Sequence, residues 1–145
     1  MYTVREISSA EAHTVRHPVL REGKPFESAI FPDDDYEDTF HVGVTIDGKP
    51  VGTVTLIKKV NAIFSADNQY QLRGMAVLQD QQRKGLGVLL VNKAEEIMQE
   101  RGGRFIWLNA REIAVPFYKQ MGYEIYGDSF IVPKVGLHYL MIKAF

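Results

Sequence analysis

The segment Gln82-Arg83-Lys84-Gly85-Leu86-Gly87 separates a strand-like run, Tyr70 to Leu78, from a strongly helical one, Val88 to Arg101. A glycine-punctuated turn that opens a helix leaves backbone N–H groups without intrahelical partners at the positive end of the helix dipole. Those N–H groups form a socket for phosphate. The two glycines let the backbone approach a ligand with no Cβ in the way. Arg83 and Lys84 add mobile positive charge at the same point. On these residues alone the turn is a phosphate-binding candidate compatible with several nucleotide folds.

Composition narrows the field by exclusion. A chain of 145 residues is long enough to bury a real core, and one domain spanning residues 1–145 is expected. Formal net charge is -1, which lacks the basic footprint of a nucleic-acid coat. The chain has no cysteine, so disulfides, thiolate metal sites and a cysteine nucleophile are excluded. Its first residues lack an apolar signal core, and no apolar run approaches membrane-spanning length. A cytoplasmic protein with no membrane partner and no nucleic-acid partner is the expectation.

Periodicity supplies the element order. Thr3 to Ile7 reads as a short strand, and Ser8 with Glu11 has capping-box spacing for a helix from Ser9 to Leu20. Arg21 to Asp38 is an irregular connection containing Gly23, Pro25, Pro32 and the acidic run Asp33 to Asp38. Long irregular connections in compact domains are often functional. Phe40, Val42, Val44 and Ile46 alternate onto one face, and Asp47-Gly48 then predicts a hairpin with a second strand from Val51 to Val60.

Tyr70 to Leu78 follows as the fourth strand. In the helix after it, Leu90, Val91, Ala94, Ile97 and Met98 form one stripe, with Lys93, Glu95, Glu96 and Glu100 expected to face outward. Phe105 to Ala110 reads as a strand. A short helix ends at Gly122, and Pro116 places its start near Ala114. Tyr123 to Tyr126 and Leu137 to Ala144 read as the last strands. The order is β-α-β-β-β-α-β-α-β-β, an α/β (α+β mixed) arrangement with a mixed sheet covered by helices.

Three features together resemble the GNAT superfamily of acetyl-CoA-dependent N-acetyltransferases, in the manner of its small bacterial members. Gln82-Arg83-Lys84-Gly85-Leu86-Gly87 fits the family's Gln/Arg-x-x-Gly-x-Gly/Ala pyrophosphate motif. Leu72-Arg73-Gly74-Met75-Ala76-Val77 is similar to its fourth strand. Leu108-Asn109-Ala110-Arg111, with Ala114 and the run from Phe117 to Tyr123, resembles the family's Ala-x-x-Phe-Tyr-x-x-x-Gly-Phe helix. The match covers residues 70 to 125, and Gly136 to Met141 resembles the family's last strand. One departure is Arg111, where the family often carries asparagine. The resemblance implies the GNAT fold, a mixed, mostly antiparallel sheet of six to seven strands flanked by about four helices.

The resemblance also implies acetyl-CoA as co-substrate and no metal. Acetyl transfer requires a grip on CoA, a polarised carbonyl, a neutral amine and a proton for the departing thiolate. The grip would come from the backbone of Gln82, Arg83, Lys84, Gly85, Leu86, Gly87 and Val88. In the family the pantetheine arm lies along the fourth strand, here Met75, Ala76 and Val77, as an added strand. A backbone N–H near Val77 would be the oxyanion donor. Phe117 is a further expected cofactor contact, and Asn109 is expected to bond the pantetheine or the acceptor, although a strand-end asparagine equally fits satisfying nearby backbone. Tyr118 corresponds to the tyrosine that protonates the thiolate, although an aromatic pair on a short helix equally fits plain packing.

The acceptor side is less determined. His41 and Arg73 on neighbouring strands, and His138 on the last one, are candidate substrate residues, since an imidazole can take a proton near neutrality. His13 and His17 lie four apart on a helix but lack a third ligand at metal spacing. The acidic run Asp33 to Asp38 is either a solvated loop or, facing the cleft, a lure for a cationic amine such as a polyamine, amino sugar or lysine-like group. The expected acceptor is an amine of a small molecule or peptide, and homodimerisation accompanies the resemblance.

Three rival readings share part of this pattern. A dinucleotide-binding domain needs a third glycine where Leu90 stands and a turn after the first strand. A GNAT-fold protein acting on aminoacyl-tRNA would carry a basic surface. A non-catalytic acyl-CoA-binding sensor of the same fold differs from the enzyme only in what Tyr118 does.

Overall fold

The computed structural model describes residues 1–145. Strand β1 (Tyr2–Ile7) leads into helix α1 (Ser9–Leu20). Ser8 accepts from the Glu11 backbone N–H while Glu11 reaches back to the Ser8 N–H, so the expected capping box forms. The hairpin strands are β2 (Thr39–Ile46) and β3 (Lys49–Lys58). Asp47 and Gly48 both adopt positive φ at the turn, the two-residue geometry that suits a twisted hairpin. Strand β4 (Gln69–Val77), helix α2 (Leu86–Glu100), strand β5 (Phe105–Arg111) and helix α3 (Val115–Gln120) follow. The chain closes with β6 (Glu124–Ile125), β7 (Phe130–Val132) and β8 (Gly136–Ala144).

The eight strands form one mostly antiparallel sheet in the order β1-β2-β3-β4-β5-β8, with β6 and β7 both on the outer side of β8. Three α-helices flank it, supplemented by short 3-10 turns. Strand β7 is one more than the sequence predicts. It has only three residues, runs straight into Pro133, and exists through its pairing with β8. The segment Glu112–Ala114 is a 3-10 turn, and α3 begins just after it with Pro116 in its first turn.

Helix α2 lays Leu90, Val91, Ala94 and Met98 onto Phe40, Val42, Val54 and Leu56 to make the main core. Each of these side chains other than Ala94 contributes roughly 1.5–3 kcal/mol on burial. Helix α1 covers the opposite face of the sheet. The expected outward position of Glu95 is therefore corrected: its carboxylate is buried, accepts from Tyr123 Oη at 2.8 Å and pairs with Lys143 Nζ at 3.0 Å. Tyr123 thus ties α2 to the segment just after α3, and Lys143 ties it to β8.

The functionally decisive feature is how β4 and β5 part. They pair in parallel only over Gln69–Gln71 and Phe105–Trp107. Beyond that, β5 stays with β8 as far as Arg111, while β4 stays with β3 through a bulge between Thr53 and Thr55. Gly74 sits in this bulge at φ +67°, a conformation that favours glycine. A Cβ there would lie 3.1 Å from Arg16 Nε. The result is a V-shaped opening in the middle of the sheet, with one side of β4 left unpaired.

Candidate active site

Two cavities occupy that opening and share Met75. The first, of ≈ 480 Å³, is bounded by Met75, Ala76 and Val77 on β4 and by Gln82, Arg83 and Gly85 in the glycine turn. Leu86, Gly87 and Val88 from the first turn of α2, with Phe117 of α3, also line it. The second, of ≈ 320 Å³, lies between Arg73 on β4, Asn109 and Arg111 on β5, Tyr118 on α3 and His138 on β8.

The first cavity is suited to an anion by its backbone. Arg83 and Gly85 adopt left-handed φ values of 65° and 77°, which turns the chain sharply into α2. No side chain caps that helix, so its first N–H groups face the cavity without a partner from the capping position. A Cβ on Gly87 would meet the Phe117 ring at 3.2 Å, a tight contact that the ring would have to shift to accept. Leu78 N–H bonds Val51 C=O at 2.8 Å. Ladder alternation then aims the N–H and C=O of Val77 away from β3, into the opening. Gln82 Nε2 donates to that carbonyl at 2.9 Å.

Tyr118 lines the second cavity, next in sequence to Phe117, which lines the first. It is 6% exposed, with Phe117 and Tyr123 packed edge-on against its ring. Burial alone pushes its phenol well above the ordinary range, and no neighbouring charge or hydrogen bond opposes the shift. The phenol is therefore held protonated. His138 Nδ1 donates to Gly136 C=O at 2.9 Å, since a carbonyl can only accept. That leaves the lone pair of a neutral ring on Nε2.

The remaining expected residues fall elsewhere. Lys84 lines neither cavity; its Nζ donates to Gln81 Oε1 at 3.2 Å. Asn109 lines the second cavity, not the one at the glycine turn. His41 is a further correction: it is buried, Nδ1 lies 2.7 Å from Thr55 Oγ1 and Nε2 lies 3.0 Å from Asp34 C=O. The face of β2 that reads as polar is covered by α1, which turns His41 into an interior residue. Burial holds its ring below the ordinary histidine range.

The acidic run also departs from the cleft-facing alternative. None of residues 33–38 lines either cavity. Asp34 is buried and pairs with Arg16 at 2.6 Å and His13 at 2.8 Å. Burial pushes its carboxyl up, but the bonds from Arg16, His13 and the Phe31 N–H hold it net below the usual range. Asp33 pairs with Lys59 at 3.3 Å. His17 Nε2 lies 2.8 Å from Lys24 C=O.

Sequence reasoning missed Val19 in the first cavity and Arg21 and Phe31 in the second. These come from the end of α1 and the loop after it. No local pattern marks them, because the partner they face is a strand many residues distant.

The open V after β4, the uncapped glycine turn and the buried tyrosine define an acyl-CoA-type transferase fold. The family model described as "Acetyltransferase (GNAT) family" matches residues 4–123, and the chain belongs to that family. It is 30% identical over 143 residues to YitI of Bacillus subtilis (strain 168), named as an uncharacterized N-acetyltransferase, covering 99% of this chain and 96% of the relative. An aminoglycoside 6'-N-acetyltransferase complexed with coenzyme A shares the fold at a TM-score of 0.78 and 16% identity, over 98% of this chain and 96% of that one. Escherichia coli ElaA does so at 0.80 and 15% identity, over 99% of both chains. No helix is long and apolar enough to cross a membrane.

Proposed function

We propose that the chain is an acetyl-CoA-dependent N-acetyltransferase that moves an acetyl group directly to the amine of a small molecule or peptide. The observation that carries this reading is the continuity of the opening: Met75 lines both the cavity at the glycine turn and the cavity at Tyr118. A molecule held by its phosphates at one end can thus present a thioester at the other. The unpartnered N–H groups from Gly85 to Val88 would receive the pyrophosphate, with Arg83 adding charge. The pantetheine arm would run along the unpaired side of β4, using backbone groups of Met75 and Val77.

In the reaction the amine nitrogen attacks the thioester carbonyl, a C–N bond forms and the C–S bond breaks. The N–H near Val77 is the proposed donor to the developing oxyanion. The amine's proton passes to His138 Nε2 directly or through water. The phenol of Tyr118 gives its proton to the departing sulfur and regains one from solvent. The same apolar surroundings that raise the phenol's proton affinity also raise that of a thiolate leaving beside it.

The test follows free thiol release from acetyl-CoA across a panel of amines, with wild type and Tyr118→Phe. Amine-dependent release in wild type, and its loss in the variant with acetyl-CoA affinity retained, is expected. CoA binding without amine-dependent release would favour the sensor of the same fold. Release at the wild-type rate in Tyr118→Phe would remove the tyrosine from the mechanism.

A further inference from the structure

The charges around the second cavity are all of one sign. Its charged side chains are Arg21, Arg73 and Arg111, with His138 beside them, and neither Asp nor Glu lines it. The adjoining hollow of ≈ 410 Å³ on the β7 side is lined by the same four residues, again without a carboxylate. The whole chain carries 17 cationic against 18 acidic side chains, so this is a local excess and not a property of the surface at large.

Two other arginines are neutralised within the protein. Arg16 pairs with Asp34 at 2.6 Å and Arg101 with Glu6 at 2.6 Å, whereas Arg21, Arg73 and Arg111 form no salt bridge. Arg73 is only partly exposed, its guanidinium 4.2 Å from the centroid of Phe31. Arg16 approaches the same ring at 3.9 Å. Burial first, then the like charge of Arg16, depress the proton affinity of Arg73. The nearest acids are committed, Asp33 to Lys59 and Asp34 to Arg16 and His13. A partly desolvated guanidinium without an anion is an unfavourable arrangement unless a ligand supplies one. The planar fork of arginine matches a carboxylate or a phosphate oxygen pair.

We propose that the amine acceptor also carries an oxyanion, a carboxylate or a phosphate, which Arg73, Arg21 and Arg111 hold so that the amine faces Tyr118. This rests on the acetyltransferase reading above and fixes the acceptor's class within it. A polyamine or an aminoglycoside would bring further positive charge against three arginines, which Coulomb repulsion in a partly desolvated cleft disfavours. The cavity's volume suits an acceptor the size of an amino acid or a small amino phosphate.

The experiment measures kcat/KM for thiol release from acetyl-CoA with matched acceptors: glycine against glycinamide, O-phosphoethanolamine against ethanolamine, and spermidine as the cationic reference. The anion-bearing member of a pair is expected to exceed its neutral partner by at least about tenfold, the strength of one charge-assisted contact. Arg73→Gln should erase that preference through KM for the acceptor and leave KM for acetyl-CoA unchanged. Arg111→Gln, at an exposed site, serves if the first variant fails to fold. The glycine and phosphoethanolamine pairs separate carboxylate from phosphate. Equal or faster use of spermidine, or a preference intact in both variants, overturns the proposal while leaving the transferase reading in place. If no amine supports release, the transferase reading falls. Calorimetric titration of N-acetylglycine and of inorganic phosphate into CoA-saturated protein then decides the anion site: Arg73-dependent binding supports it, and absence of binding by either overturns it.

Discussion

At the Gly85 end of the cleft the protein offers main-chain N–H groups, whereas at the Arg73 end it offers guanidinium groups drawn from three separate elements. The first end is built by one contiguous stretch, the turn and first helical residues after β4. The second needs the tail of α1, the bulge of β4, the end of β5 and β8 to converge. A backbone socket reads phosphate with little regard to side-chain identity. A socket of side chains can be changed residue by residue without altering the scaffold. On the proposed reading, the cofactor's phosphates belong to the first end and the acceptor's identity to the second.

The strongest break of this picture is at the buried tyrosine of the second cavity. Tyr118→Phe should lower kcat by about 10²–10⁴, the range of a general acid, with acetyl-CoA affinity unchanged. Because burial raises the phenol's pKa, the protonated form persists through the alkaline range. Wild-type kcat should therefore show no falling limb from this group up to about pH 10, near the ordinary phenol value. A limb near pH 8 that disappears in Tyr118→Phe would contradict the environment described.

Beneath the acceptor end lies a second charged set whose role is structural. Asp34→Ala leaves Arg16 buried without its anion and should cost about 3–5 kcal/mol in urea unfolding, as for a broken buried pair. In the folded state the Asp34 pKa is lowered, so its contribution is present above the unfolded value and is lost as pH falls below about 3.9. A loss under 1 kcal/mol, on the order of a surface pair, would show that Arg16 finds other support.

At the nucleotide end, backbone and side chain can be separated by neighbouring substitutions. Gly85→Glu strains a φ of +77° and adds a carboxylate at the anion socket, and should weaken acetyl-CoA binding by about 100-fold. Lys84→Ala, next in sequence but bonded to Gln81, should change it by less than about threefold. Equal losses in calorimetry would mean that side-chain charge, not the backbone, grips the phosphates.

The smallest expected effect concerns His41. Its folded pKa is depressed by burial, so the stability it gives is full above the unfolded value near 6.5 and declines as pH falls through and below it. Unfolding free energy should drop between pH 7 and 5.5 by less than about 1.4 kcal/mol per pH unit from this group. His41→Gln should flatten that slope, and an unchanged slope would assign it to other histidines.

The unequal legibility of the two ends follows from how each is built. Ser8 and Glu11, Asp47-Gly48 and the stripe on α2 are local signals, and each element they announce forms where expected. The glycine turn is legible for the same reason. The acceptor end is not, because Arg21, Phe31 and Arg73 meet only through packing of α1 and its loop on β4. His41 misleads for a physical reason: alternation marks one face of β2 as polar, but α1 buries that face and its hydrogen bonds are satisfied inside. Strand β7 is invisible in three residues and exists only as an edge on β8. Asp34 reads as one acid in a run, yet the structure draws it inward to neutralise Arg16.

The most direct test of a cleft with two differently built ends is backbone amide NMR of the full chain as acetyl-CoA is added. The amides of Gly85 to Val88 and of Val77 should move most, while those around Arg21 and Arg111 stay near their starting positions until an acceptor is added. Shifts centred instead on Arg21, Arg73 and Arg111, with the glycine turn unmoved, would contradict the account.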